Sequence, residues 1–268
     1  MQDLSRSDTF HAYQVVPRPV SMIIVEHAPE PSLIVPSHSH PKAQLAVAVK
    51  GIFSLHTAEG AWLVPPNRAV WVPGGVVHEM HARGQAVSNR SLYIQPDASP
   101  GLPTDCRVIE LSPLMRQLIL EATQIPLLYD ENGRDGRVMR LILDEICAAP
   151  KMPLHIPMPR DPRLLKICRA LLADPGQGGD LDDWARIGAL GRRTLTRLFR
   201  QETGITLTLW LQQVRLMEAL TRLSLGQPVT TVALDLGYDS PSAFTAMFRR
   251  VMGKTPRHYL GRQDAALD

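Results

Sequence analysis

The sequence predicts an α+β chain of two domains: a compact β-rich N-terminal domain trailed by helices, then an all-α domain with two helix-turn-helix units. Three observations predict this. Short apolar runs punctuated by Gly and Pro give way, near residue 112, to apolar residues at helical spacing. Five prolines, Pro150, Pro153, Pro157, Pro159 and Pro162, then crowd into 13 residues. Finally, "TLTRLFRQETG" from Thr194 returns as "AFTAMFRRVMG" from Ala243.

A chain of 268 residues with 44% hydrophobic residues has enough apolar material for one core per domain. The start, "MQDLSRSDTF", shows no basic stretch followed by an apolar segment, and no run of about 18 apolar residues occurs. A cytoplasmic protein with no membrane partner is expected. Cys106, Cys147 and Cys168 are an odd number at wide spacings, which fits buried hydrophobes better than a disulfide framework or a CxxC site. Charge divides unevenly: 13 Lys plus Arg face 15 Asp plus Glu up to Pro159, but 16 face 11 from Arg160 onward. The basic surplus accompanies the repeat.

In the first domain (residues 1–150), "AQLAVAVKGIFSL" and "RAVWVPGG" have the composition of strands. In "SPLMRQLILEA", Leu114, Leu118 and Ala122 share a helical face, and in "DGRVMRLILDEICAA" so do Val138, Ile142 and Ile146. These helices, within residues 112–149, are expected to cover their own domain, or to pair two subunits in a homodimer if an apolar face stays exposed. Residues 151–162 form the linker, stiff and extended because proline donates no hydrogen bond and fixes φ.

From 163 to 262 the pattern is helical. Asp180 is a plausible N-cap, with Asp182 and Asp183 in the first turn where the helix dipole favours acids. A first helix through Trp184, Ala185 and Ile187 stops at a small-residue turn, Gly188 to Gly191. The second helix carries Leu195, Leu198 and Phe199 on one side, read as core, and Arg192, Arg193, Thr196, Arg197 and Arg200 on the other. That layout, at about 181–202, is a helix-turn-helix. The second copy, at about 229–251, has Gly237 at the turn, Ser240 or Asp239 as cap, Pro241 at the first helical position, and Phe244 and Phe248 in its core. Ala189 and Gly237 correspond at a spacing of 48, but Phe199 and Phe248 at 49, so the second turn is one residue longer. A helix at about 206–223 links the copies; its 18 residues span about 27 Å at 1.5 Å each, long enough to serve neighbouring major grooves.

Paired copies at this spacing, with the signature "VALDLGYDSPSAFTAMFRRVMGKTPRHYL", resemble the DNA-binding domain of the AraC/XylS family of bacterial transcription regulators. The resemblance implies a sequence-specific transcriptional regulator whose partner is double-stranded DNA. It also implies that Arg193, Thr196 and Arg197 face the groove in the first copy, and Ser242, Thr245 and Ala246 in the second. Bidentate Arg contacts would make the first copy the stronger base reader, with Arg192, Arg200, Arg249 and Arg250 expected on phosphates. Ala189 departs from the family's usual turn glycine, and Ala246 from its usual long polar side chain.

The first domain carries "HSHPKAQLAVAVKG" and "PGGVVH", which resemble the two motifs of the cupin β-barrel with Gln44 in place of Glu. His38 and His40, two apart, share a face if they lie on one strand, and can converge with Gln44 and His78. These four residues are candidates to bind a divalent metal, to line an effector pocket for a small molecule, or to survive as a remnant in a packed barrel; an amide is a poorer ligand than a carboxylate. Phe53, Trp62 and Trp71 are candidates for the pocket wall or for the core. The expected function is a regulator responsive to a small molecule in the barrel. The alternative is a metal-dependent cupin oxygenase or isomerase with an appended DNA-binding domain.

Overall fold

The computed structural model describes residues 16–27, 33–82 and 86–260. The segment "MQDLSRSDTF" and the end of the helical domain at 262 lie outside the described residues. Two compact units emerge, one of residues up to Thr57 with Trp62–Met152, the other of Ala58–Ala61 with residues from Pro153.

The first unit contains two antiparallel sheets. One has the order β1-β8-β3-β6-β9-β10, formed by Val20–His27, Val87–Ile94, Ala43–Lys50, Arg68–Val72, Arg107–Glu110 and Lys151–Met152. The other runs β5-β4-β7-β2, formed by Gly60–Val64, Phe53–Thr57, His78–Ala82 and Leu33–His38. β3 is apolar along most of its length because both faces are covered. Leu45 and Val47 point into a core shared with α1 (Pro113–Ala122) and α2 (Arg134–Ala148), whereas Gln44 and Ala46 point to the space between the sheets. The helices thus cover their own domain.

Three details differ from the sequence reading. The buried stripe of α1 is Met115, Leu118, Ile119 and Ala122, so Leu118 and Ala122 are buried as expected, while Leu114, in the first turn, is 47% exposed and Met115 takes its place. Cys147 is exposed on α2, although Cys106 and Cys168 are buried. The proline-rich stretch is not all linker: β10 pairs with β9 through Lys151 and Met152, which lie between prolines and keep their N–H groups.

The second unit consists of α3 (Pro162–Ala173), α4 (Leu181–Ile187), α5 (Arg192–Thr203), α6 (Leu207–Ser224), α7 (Val229–Asp235), α8 (Pro241–Met252) and α9 (Pro256–Leu260), with β11 (His155–Pro157) before them. Asp180 caps α4, accepting from the N–H groups of Asp182 and Asp183, and Asp183 returns the bond in a capping box. Those donors hold the Asp180 carboxyl below the usual carboxylate range. Phe199 of α5 meets the edge of Trp210 on α6, and the Trp210 indole donates to the Pro157 carbonyl at 2.7 Å. Phe244, Phe248, Tyr238 and Tyr259 form the matching aromatic cluster of the second copy. Among the described residues no helix is long and apolar enough to cross a membrane.

Candidate functional site

The two helix-turn-helix copies end their first helices alike. Leu190 N–H donates to Ala185 O at 2.8 Å, and Tyr238 N–H to Ala233 O at 3.1 Å, each closing the turn around a residue in the left-handed region. That residue is Ala189 (φ 51°) in the first copy and Gly237 (φ 73°) in the second. Beyond the turn the second copy carries Asp239 in excess, so Ser240 rather than Asp239 occupies the cap and accepts from Ala243 N–H. Its counterpart Gly191 gives α5 no side-chain cap. Both second helices stop at a left-handed glycine, Gly204 or Gly253.

On α5, Leu195 and Phe199 are fully buried, Leu198 is half-buried, and Arg193, Thr196, Arg197 and Arg200 are exposed. Arg197 donates to Gln201 along its own helix, and the Thr196 hydroxyl is turned back onto the carbonyls of Arg192 and Arg193, which presents its methyl outward. Arg192 is paired with Asp182 at 3.1 Å. An exposed pair of this kind is weak, so a phosphate can displace the carboxylate. On α8, Phe244 and Phe248 are buried, while Ser242, Thr245, Ala246, Arg249 and Arg250 line one open concavity with Pro241 and Thr255. Arg215, not anticipated from the sequence, braces the second turn: its guanidinium donates to Pro175 O at 2.8 Å and lies over the Tyr238 ring.

The histidine cluster forms in the first unit by a route the strand argument did not foresee. β2 ends at His38, opposite His78 on β7, after a bulge between Val35 and His38 that accommodates Pro36. His40 lies beyond the strand end, in a loop that approaches the 73–75 turn so closely that a Cβ at Gly74 would sit 2.1 Å from Pro41 O. Gly75 N–H donates to His40 O at 2.8 Å across the same junction. Convergence therefore comes from loop packing, not from alternation along one strand. Ring centroids lie 4.4 Å (His38–His78), 5.1 Å (His40–His78) and 6.0 Å (His38–His40) apart, and one ring nitrogen from each lies within 4.8 Å of the others.

Each ring has Nδ1 against a backbone carbonyl: His38 on Pro36 at 2.8 Å, His40 on Lys42 at 2.6 Å, His78 on Val76 at 2.9 Å. A carbonyl only accepts, so Nδ1 carries the proton and Nε2 is left as the basic nitrogen, the arrangement that orients metal-binding imidazoles. Burial holds His78 down at about 4 and also lowers His40, so both are neutral near pH 7. Gln44 Oε1 sits 3.2 Å from His40 Nε2, while Gln44 Nε2 donates to Ser91 Oγ at 3.0 Å and Ser91 in turn to Asn89. Tyr93, buried edge-on to His40, has no hydrogen-bond partner for its hydroxyl among the described residues, and burial raises its pKa. The donor set, three basic nitrogens and an amide oxygen beside an orphaned hydroxyl, fits a divalent metal with nitrogen preference.

A cavity lined by strands of both sheets measures about 30 Å³. Phe53 lines it, together with Val25, Leu55 and Met80. Trp71 does not, being packed in the helix-facing core with its indole donating to Pro103 O, and Trp62 is buried away from the cavity lining. Ser91, Asn89 and Tyr93 were not anticipated; their signal is the period-two spacing of polar groups in "SNRSLY" on β8.

Comparison with known proteins agrees with both halves. The profile of an AraC-like ligand binding domain matches residues 21–180, and that of a helix-turn-helix domain matches residues 184–262. The HTH-type transcriptional regulator NimR of Escherichia coli is 36% identical over 239 residues, which is 88% of this chain and 86% of NimR. The HTH-type transcriptional activator RhaR of Yersinia pestis is 33% identical over 106 residues, covering 39% of this chain and 37% of RhaR. Among solved structures, ToxT from Vibrio cholerae covers 92% of this chain and 99% of its own, at 12% identity and a TM-score of 0.40. The chain belongs to the AraC family of helix-turn-helix transcriptional regulators.

Proposed function

We propose that this regulator acts in the cytoplasm as a sequence-specific DNA-binding protein whose two recognition helices, α5 and α8, enter neighbouring major grooves under control of a ligand held between the sheets of the first unit. One observation carries the DNA reading: Arg193, Arg197 and Arg200 project from α5 opposite its buried Leu195 and Phe199. A helix so divided docks by one face and presents the other. Arg193, Thr196 and Arg197 with Ser242 and Thr245 contact bases, and Arg192, Arg200, Arg249 and Arg250 hold phosphates.

The ligand reading rests on His38, His40, Gln44 and His78 meeting inside a cavity. At about 30 Å³ the cavity takes one or two waters or a single ion, far short of the 300–1,000 Å³, in order of magnitude, that organic ligands occupy. The donor set has Gln44 where the cupin motif has a carboxylate, a poorer ligand for a catalytic metal, which favours regulation over catalysis. Leu114, Leu127, Leu128 and Leu141 are exposed around α1 and α2 and supply the apolar face for a homodimer.

Footprinting of the full-length chain on DNA selected from a random library tests the DNA reading. Two protected stretches about one helical turn apart are expected, with affinity falling roughly 10³- to 10⁵-fold between 50 and 200 mM salt if about 6 to 10 phosphates are neutralised. Protection of a single stretch, or a shallow salt dependence, would remove the paired-groove arrangement.

A further inference from the structure

The helix joining the two helix-turn-helix copies is not their only connection. The loop between α3 and α4, residues 174–179, leads into Asp180, the cap of α4 in the first copy. On its way it lies backbone to backbone against the second copy: a Cβ at Gly176 would stand 1.9 Å from Asp235 O at the end of α7, and one at Gly237 would stand 2.9 Å from Gly176 O. So close an approach needs glycine on both sides. Arg215, halfway along the 18 residues of α6, closes the junction. Its Nε donates to Pro175 O at 2.8 Å, its guanidinium lies 3.0 Å from where a Gly237 Cβ would be, and its central carbon sits over Tyr238, 5.8 Å from the ring centre. Tyr238 in turn stands edge-on to the buried Phe244 of α8, with centroids 5.3 Å apart.

A chain of contacts therefore runs from the entry of α4 through Arg215 and Tyr238 to the recognition helix α8. The length of α6 fixes how far apart the copies stand, but the swing of one copy about the other is set by what packs beside that helix. Here it is backbone on backbone, pinned by a planar guanidinium fork that is stiffer than a flexible ammonium stem. Arg222, the other arginine of α6, pairs with Asp235 and donates to Gln227 at 2.6 Å, so α7 is tied to α6 as well. In B-DNA one turn takes about 10 to 10.5 base pairs over about 34 to 36 Å, so each added base pair moves the second groove by about 3.4 Å and turns it by about 35°. Two helices held at one angle cannot follow. The DNA must twist or bend instead, at a cost in deformation.

We propose that Gly176, Arg215 and Gly237 form a clasp that fixes α8 relative to α5 and thereby selects the number of base pairs between the two half-sites. Arg215 is a positioning residue: it is not among the residues assigned to bases or phosphates, and it acts through Pro175 and Tyr238. The clasp deepens the paired-groove reading above and rests on it. It gives specificity to DNA positions that no side chain touches, because a wrong spacing is rejected by the stiffness of the protein and not by lost hydrogen bonds to bases.

The test starts from the DNA that the full-length chain selects from a random library, remade with one base pair removed from, or added to, the segment between the two protected stretches. The unaltered protein is expected to bind each remade DNA about 10-fold or more weaker than the parent, the loss that accompanies deforming a duplex. Gly176→Ala, which forces the loop off α7, and Arg215→Ala are each expected to shrink that difference to about 3-fold or less, as a pair free to swing would follow the groove without deforming it. Arg215→Lys, which can still donate to Pro175 O, is expected to keep most of the difference. The quantity read is the ratio between DNAs, so a general loss of affinity from one missing charge cancels. Melting curves show which variants fold, and Arg215→Met, which keeps the stem and loses the donor, replaces Arg215→Ala if that variant does not. Equal binding of all three DNAs by the unaltered protein overturns the clasp. So do variants that bind all three more weakly in an unchanged ratio, which would make Arg215 a prop for the fold alone. Protection of a single stretch on the parent DNA by the unaltered protein instead sinks the paired-groove reading, and the control of spacing with it.

Discussion

The two helix-turn-helix copies share a backbone and differ in what they spend it on. The second obeys local rules at its turn and on α8, with glycine at the left-handed turn position, a serine cap on α8 and proline at its first helical position, although Pro228 gives α7 no side-chain cap. The first breaks two of them, placing Ala189 at φ 51° and leaving α5 without a side-chain cap at Gly191. It is also the copy whose exposed face carries Arg193 and Arg197, where the second presents Ser242, Thr245 and Ala246. Local irregularity and recognition chemistry coincide, as they do when a site is selected for contact rather than for stability. On the proposed reading, the difference assigns anchoring to α8 and base reading to α5.

The largest expected effect tests that division directly. Arg193→Ala or Arg197→Ala should each lower the preference for operator over random DNA by about 5- to 150-fold, the worth of a bidentate base contact, whereas Ser242→Ala should change it by less than about 5-fold. Binding assays on both DNAs at one salt concentration settle the matter; equal weakening on operator and random DNA by the Arg variants would make them phosphate contacts and erase the contrast. Next in size is the turn. Gly237→Ala forces a side chain into the left-handed region and within 2.9 Å of Gly176 O and 3.0 Å of the Arg215 guanidinium, a cost of about 2 kcal/mol read as a lower melting temperature. Ala189→Gly exchanges relief of the same strain for greater freedom of the unfolded chain, so its net change should stay within about 1 kcal/mol. If the two substitutions cost the same, the turns are not equivalent.

The smallest effects concern the caps. Ser240→Ala should destabilise by about 1 kcal/mol, while Gly191→Ser should stabilise by a few tenths, since glycine is only slightly inferior to serine at that position. A larger gain from Gly191→Ser, with loss of DNA affinity, would show that the open N–H groups of α5 are used by the nucleic acid.

The helical half was legible because its information is local. A duplicated pattern, an Asp cap and glycines at helix ends fix helix limits without knowledge of what packs on them. In the first unit the same information was ambiguous. "AQLAVAVK" is apolar on both faces, so nothing in it says that Leu45 meets helices and Gln44 meets a cavity, and Trp71 and Phe53, both aromatic and buried, belong to different sheets, the first in the helix-facing core and the second on the cavity. The four candidate ligands were visible through their motif, yet the strand argument for His40 failed because a loop places it. Ser91 and Asn89 were invisible for a different reason: they act through Gln44, 47 and 45 residues away in sequence, and only strand pairing brings them near.

Gly74 draws these threads to one position. With Pro41 O already where its Cβ would stand, any side chain must push the β6–β7 turn off the loop that carries His40, and His78 follows four residues later. On the proposed reading, a single methyl group there would disturb the ligand site while leaving α5 and α8 intact. Alleles locked in one regulatory state, unresponsive yet fully able to find their operators, should therefore cluster at this glycine.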